Sequence, residues 1–228
     1  MSTVVGNIDI SAFEGDGLDI VGEDGFDVLV GSSRGDKIDG GGGQDVIFGD
    51  GFFSLAEGGD DLLIGGDGDD VILAGGGDDS IIGGDGDDII VGNNGADVIE
   101  AGAGNDTIFG GLGDDLINGA EGDDIIRGGA GNDTIFGGAG SDTLFGEAGQ
   151  DVFEFDIEDF ASGEVDTIAD FEFGEDSFVI NGLGDGDTIA FDPNGVVSVN
   201  GTGIINIATG DTASTEMEEN ENDDYEIV

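Results

Sequence analysis

The chain has 228 residues and carries 55 Asp and Glu against three Lys and Arg, with no His and no Cys, for a formal charge of −52. That sign excludes nucleic acid and membrane insertion, because nothing here neutralises phosphate and no stretch is apolar enough to span a bilayer. Without His or Cys there is no Ser-His or Cys-His nucleophile pair, no histidine general base, and none of the usual zinc, copper or iron ligands.

Residues 1–21 alternate apolar positions at Val4, Val5, Ile8 and Ile10, then read EGDGLDIV, a near-copy of the phrase that follows, with Asp19 at its aspartate position. This segment is expected to cap the fold at its N-terminus, since the terminal units of repeat arrays are usually atypical. It has neither the basic start nor the apolar run of a secretory leader, so any export must be directed from elsewhere.

From Gly22 a nine-residue phrase repeats three times to Phe48, is interrupted by residues 49–55 (GDGFFSL), and then recurs eleven times without a break from Ala56 to Glu154, as in GGDGDDVIL and GGAGNDTIF. Position six is always aspartate: Asp27, Asp36, Asp45, Asp61, Asp70, Asp79, Asp88, Asp97, Asp106, Asp115, Asp124, Asp133, Asp142 and Asp151. Position one is Gly or Ala, position four is Gly except at Arg34, and position eight is Leu or Ile until Phe153. Closely spaced glycines before an aspartate predict a sharp turn with φ values that other residues resist. The apolar position eight, flanked by tolerant neighbours, predicts a three-residue strand whose middle side chain points inward.

A unit this short cannot bury a core alone and must stack on its neighbours. Two phrases bring the chain round once, which predicts an all-β, right-handed parallel β-roll with about 18 residues per turn and two short-stranded parallel sheets, strands about 4.8 Å apart. Position eight fills the slot between the sheets, and the aspartates stack in two columns. Like charges at that spacing repel, so a cation must lie between them. The three basic residues cannot supply it. Calcium suits an oxygen-only, irregular shell of carboxylates and turn carbonyls better than octahedral magnesium does.

The phrases GGDGDDVIL, GGAGNDTIF and GGLGDDLIN resemble the nonapeptide of the RTX, or haemolysin-type calcium-binding repeat, family. The resemblance implies multiple Ca2+ ions, each held between same-side turns by position-six aspartates and loop carbonyls. It further implies a secreted, extracellular protein that folds on meeting calcium, with a type I secretion exporter as a partner and an uncleaved C-terminal signal.

Within the repeats, Arg34 stands where glycine belongs and is expected to crowd its turn and weaken one ion site. The tripeptide RGD at Arg34–Asp36 is read as chance, since Asp36 is already required at position six. The insertion at 49–55 is expected to bulge, with Phe52 and Phe53 packed on the roll edge and the ion columns interrupted there. Outward positions of one sheet, including Val71, Ile89, Phe109, Ile125 and Phe145, are more apolar than those of the other, which include Ser80, Glu100 and Asn118. The C-terminal segment is expected to cover that face, with self-association or a surface receptor as the alternative. Position five, often a second aspartate, is variable and is read as solvated.

After Glu154 the period stops. Alternating apolar residues through Phe155, Phe171, Phe178 and Ile205 predict a C-terminal β cap over residues 155–209. Residues 210–228 read as an acidic, disordered tail, and their ending DDYEIV resembles the family's export signals. The predicted function is a non-catalytic structural or adhesive calcium-binding roll. Ice binding and service as an accessory module of a secreted enzyme system are the alternatives, but position three holds Ala103 and Ala130 where an ice-binding row would need threonine.

Overall fold

The computed structural model describes residues 17–51, 58–160, 163–184, 187–191, 195–208, 217–219 and 225–227. The described residues are all β, in a parallel solenoid of about 7 turns with roughly 18 residues per turn. Alternate strands enter alternate sheets, and the sheets have eleven strands each. Ile90, Ile108 and Ile126 lie in register along one sheet, and Ile99, Ile117 and Ile135 along the other. All six are essentially inaccessible to solvent. Each such aliphatic side chain contributes about 1.5–3 kcal/mol by leaving water, and the two rows together form the core.

The strands are longer than the expected three residues. Leu62–Asp67 and its equivalents span six residues, from position seven through position three of the next phrase. Positions eight and one both point inward. Position one therefore lies beside the apolar row with no room for a large side chain, which is why only Gly and Ala occur there; Ala74 and Ala101 are fully buried.

Pairing also corrects two boundaries. Asp19–Val21 forms the first rung of one sheet with Asp19 opposite Lys37, a position-seven residue. Leu18, not Asp19, therefore occupies position six, and its N–H donates to Asp36 Oδ1 at 2.5 Å. The remainder of the expected N-terminal cap, residues 1–16, lies outside the described residues. At the insertion, Gly49 and Asp50 already pair with the next turn, through Gly49 N–H to Leu73 O (2.9 Å) and Asp50 N–H to Ala74 O (3.0 Å). They are positions one and two of a regular turn, so the extra residues are 51–57, of which 52–57, including Phe52 and Phe53, lie outside the described residues. Register resumes intact, with Ile38 opposite Leu63 and Ile47 opposite Ile72.

Beyond the repeats both sheets continue. Asp166–Ile168 pairs with Thr143–Ala148, and Ser177–Asn181 with Val152–Asp156, both parallel. Aromatics then replace isoleucine in the slot, with Phe171 6.1 Å from the rings of both Phe153 and Phe178. Val196–Val199 and Ile189–Phe191 close one sheet with antiparallel pairing. Met217–Glu219 and Tyr225–Ile227 do the same for the other. These last two strands lie in the segment expected to be disordered. Their apolar residues alternate with acids, and the open edge of the sheet gives them a partner. Among the described residues no C-terminal segment covers the apolar face: the described C-terminal strands extend the sheets at their ends, and Ile89, Phe109 and Ile125 are exposed.

Candidate metal centre

The turns are built on two backbone positions with left-handed φ. Position four is glycine at φ of 121° to 146° from Gly25 through Gly140, except at Arg34 and Gly59, which are not left-handed, and position two is left-handed in most turns, at Gly66 (120°), Gly84 (128°), Asn93 (77°) and Ala120 (78°) among others. These conformations bend the chain and aim main-chain carbonyls at the next turn on the same side. The Cβ that Gly65 lacks would lie 2.5 Å from the carbonyl oxygen of Gly83 and 2.5 Å from Asp70 Oδ2. The same holds for Gly110, facing Asp115 Oδ2 at 2.5 Å and Gly128 O at 2.6 Å. A carboxylate oxygen and a carbonyl oxygen from adjacent turns thus converge on one small space, which glycine at position one leaves open.

The position-six aspartates form the two expected columns. In each, Oδ1 accepts the N–H of the position-six residue one turn earlier: Asp88 N–H to Asp106 (2.7 Å), Asp106 to Asp124 (2.8 Å), Asp124 to Asp142 (2.8 Å) in one, and Asp79 to Asp97 (2.9 Å), Asp97 to Asp115 (2.8 Å) in the other. The carboxylate ladders pass the insertion unbroken, through Asp36 N–H to Asp61 (2.6 Å) and Asp45 N–H to Asp70 (2.7 Å). One hydrogen bond per carboxylate leaves Oδ2 over. In Asp45, Asp61, Asp70, Asp79, Asp88, Asp97, Asp106, Asp115, Asp124, Asp133 and Asp142, Oδ2 is buried with no hydrogen-bond partner.

Burying an anionic oxygen unpaired is costly, and the titration behaviour reflects it. Loss of hydration, reinforced by neighbouring carboxylates, raises Asp61 to about 8 and Asp79, Asp88, Asp115 and Asp124 to about 7, against the ladder N–H, which lowers each. At neutral pH these groups lie near their midpoints, which is the state of a carboxylate lacking its counter-ion.

Not every expected residue is alike. Asp27 Oδ2 accepts Glu23 N–H at 3.0 Å and Asp36 Oδ2 accepts Ser32 N–H at 2.5 Å. In those two turns position two is not left-handed, so its N–H turns inward and occupies the oxygen. Arg34, in the second of them, also avoids positive φ. Position five is exposed as expected, yet it too forms a ladder, with Asp123 N–H to Asn105 Oδ1 at 2.9 Å and Asn132 N–H to Asp114 Oδ1 at 2.7 Å.

Sequence reasoning missed three aspartates, of which two join the columns. Asp142 N–H donates to Asp166 Oδ1 (2.9 Å) and Asp151 N–H to Asp176 Oδ1 (3.1 Å). Asp166 Oδ2 is unpartnered, whereas Asp176 Oδ2 accepts Glu172 N–H at 2.8 Å. The signal was present in DTI at 166–168 and DSF at 176–178, which repeat positions six to eight after the nonapeptide spacing has lapsed. Asp50 is the third, buried beside Asp61.

Among the described residues no three Asp or Glu gather as a carboxylate-only metal site. The donor set is one carboxylate oxygen per turn with main-chain carbonyls, oxygen throughout, which fits calcium and offers nothing to softer metals. The profile of the RTX calcium-binding nonapeptide repeat, four copies long, matches residues 21–53, 55–90, 82–117, 91–126 and 118–153. No curated protein matches the chain. With more than half its length matched, the chain belongs to the RTX calcium-binding nonapeptide repeat family, and its repeats bind multiple Ca2+ ions.

Proposed function

We propose that this chain is a secreted, non-catalytic β-roll that orders itself on calcium outside the cell and serves as a stiff structural or adhesive element. The observation that carries the reading is the row of buried, unpartnered Oδ2 atoms, which at Asp45, Asp61, Asp70, Asp88, Asp97, Asp115 and Asp124 converge with a carbonyl of the next turn. In this reading Asp45 through Asp142 of the two columns, with Asp166, hold the ions. Asp27 and Asp36 hold them more weakly, because a backbone N–H already occupies Oδ2. Bound calcium supplies the positive charge that lets stacked carboxylates stay ionised in a dry slot.

The roll's own residues do the rest. Glycines at positions two and four aim the carbonyls, the N–H ladder fixes each carboxylate rotamer, and the isoleucine rows lock the turns in register. A non-catalytic role is supported by the absence of His and Cys and by the engagement of the buried acids in ladders. Secretion, with an exporter reading residues 210–228, is supported by the family's character.

The test is circular dichroism during Ca2+ titration of the chelated chain. A cooperative gain of β signal is expected with Ca2+ and little with equal Mg2+; a chain fully folded in excess chelator overturns the coupling. For export, deletion of residues 210–228 should retain the protein inside the producing cell, and unimpaired release would refute that part.

A further inference from the structure

The turn that carries the insertion differs from the others in its second residue. In regular turns the position-two carbonyl faces position two of the next same-side turn: a Cβ on Gly84 would meet Gly66 O, and one on Gly102 would meet Gly84 O. Asp50 holds position two of the insertion turn and is not left-handed. What faces Gly75, its counterpart one turn on, is the Asp50 side chain, with Cβ and Cγ each 2.9 Å from the missing Cβ. The carboxylate has replaced the carbonyl.

Asp50 is only 4% exposed. Its Oδ2 accepts the N–H of Gly76 at 2.8 Å, and the carboxylate also accepts that of Gly59, while Oδ1 is buried with no partner. The same gap between turns contains the unpartnered Oδ2 of Asp61, which converges with the carbonyl of Ala74 on Gly49, and the Gly59 carbonyl, 2.5 Å from the position a Gly77 Cβ would take. Among the described residues the last gap also has an extra carboxylate, Asp170, but its Oδ1 accepts Gly146 N–H and its Oδ2 accepts Glu147 N–H, each at 3.0 Å, so neither oxygen is left over as Asp50 Oδ1 is.

We propose that the gap between Gly49, Asp50, Gly59 and Asp61 of one turn and Ala74–Asp79 of the next is a distinct calcium site, tighter than the regular ones, in which Asp50 supplies a carboxylate where the repeat supplies a carbonyl. The inference rests on the calcium reading above and deepens it. Oxygen sites gain affinity with the charge of their ligands. One more anion near the ion outweighs the neutral dipole it displaces, provided the carboxylate is already held in place, as the two N–H donors hold Asp50. This site fills first and fastens the turns on either side of the insertion, where register is otherwise least constrained by sequence spacing.

The experiment is calcium titration of the full chain against a competing chelator, comparing wild type with D50N and D50G. D50N keeps the shape and an acceptor for Gly76 N–H. D50G restores the glycine that regular turns carry. Wild type should bind one equivalent at least about tenfold more tightly than the rest. Both variants should lose that tight equivalent and keep the remaining sites at wild-type affinity. If either variant retains it, Asp50 is a backbone cap and the inference falls. If wild type binds calcium with a single class of sites, the inference falls while the proposed function stands; if wild type binds no calcium, the proposed function fails first.

Discussion

The backbone N–H of Asp106 donates to Oδ1 of Asp124, one full turn later, at 2.8 Å, and leaves Asp124 Oδ2 buried and unpartnered. One carboxylate thus has two tasks that its two oxygens divide. Oδ1 stitches consecutive turns and would do so with or without metal. Oδ2 is committed to whatever cation enters the gap. The exposed position-five ladder runs the other way, with Asp123 N–H bonded to Asn105 on the earlier turn, so adjacent columns tie each turn in both directions.

Replacing Asp106 and Asp124 together by Asn should weaken calcium binding by tenfold or more, since each loses a charged ligand while the Asn carbonyl can keep the ladder bond. The matched pair Asp114→Asn and Asp123→Asn removes exposed charge and should change affinity less than about threefold. Calorimetric titration of both double variants checks this; equal losses would assign the ions to the wrong column.

Protons should partly replace calcium. The unfolded carboxylates titrate near their usual value of about 3.9, whereas in the folded chain burial moves Asp61 to about 8 and Asp79 and Asp115 to about 7. Between those limits the folded, metal-free chain holds more protons than the unfolded one, so its stability falls as pH rises from about 4 to 8. The β signal of the chelated chain should therefore be larger at pH 5 than at pH 8, with the difference abolished by saturating Ca2+. A metal-free signal independent of pH would contradict the burial of unpaired carboxylates.

Calcium binding near pH 5, where protonation helps to hold the metal-free chain folded, should also release protons, because the same groups are largely un-ionised there before the ion enters. A weakly buffered titration followed by a pH electrode should register acidification with each addition of Ca2+ and none with Mg2+.

Backbone handedness gives a separate test. Gly113 sits at φ 127°, and a methyl there would collide with the Gly95 carbonyl. Gly113→Ala should cost at least about 1 kcal/mol and weaken the neighbouring ion site. Ala120, a non-glycine already at φ 78°, lies on the opposite side of this logic: Ala120→Gly should be neutral or stabilise by up to about 1 kcal/mol. Denaturant unfolding in saturating Ca2+ distinguishes them.

In the core, Ile117 has zero exposure and lies in register between Ile99 and Ile135. Ile117→Ala should destabilise the calcium-loaded roll by about 2–5 kcal/mol, measured in the same way. A smaller loss would mean the slot collapses around the gap.

Most of the fold was legible because the nonapeptide states it fourteen times. Invariant Asp at position six, glycine at position four and Leu or Ile at position eight left one way to bury the apolar row, and the period set the coil. The aspartate columns followed from that stacking. Strand length was misread because position one looks like turn glycine, whereas it is the inward residue of a six-residue strand, kept small by the carboxylate folded over it. Asp50, Asp166 and Asp176 were hidden because they stand where the spacing lapses, and only the register of neighbouring strands places Asp166 and Asp176 in the columns and Asp50 at position two.

What the sequence determined by itself was the period, the inward row and the sign of the charge that must be neutralised, all of which are local and repeated. Tertiary structure decided which carboxylate oxygens are left without a partner: Asp124 keeps a free Oδ2 beside left-handed Ala120, Asp36 gives its Oδ2 to the N–H of Ser32, and Asp61 keeps its Oδ2 free because Asp50, though not left-handed, donates its N–H to Ala74 O. The choice is made by packing against the turn above, which a residue type does not encode.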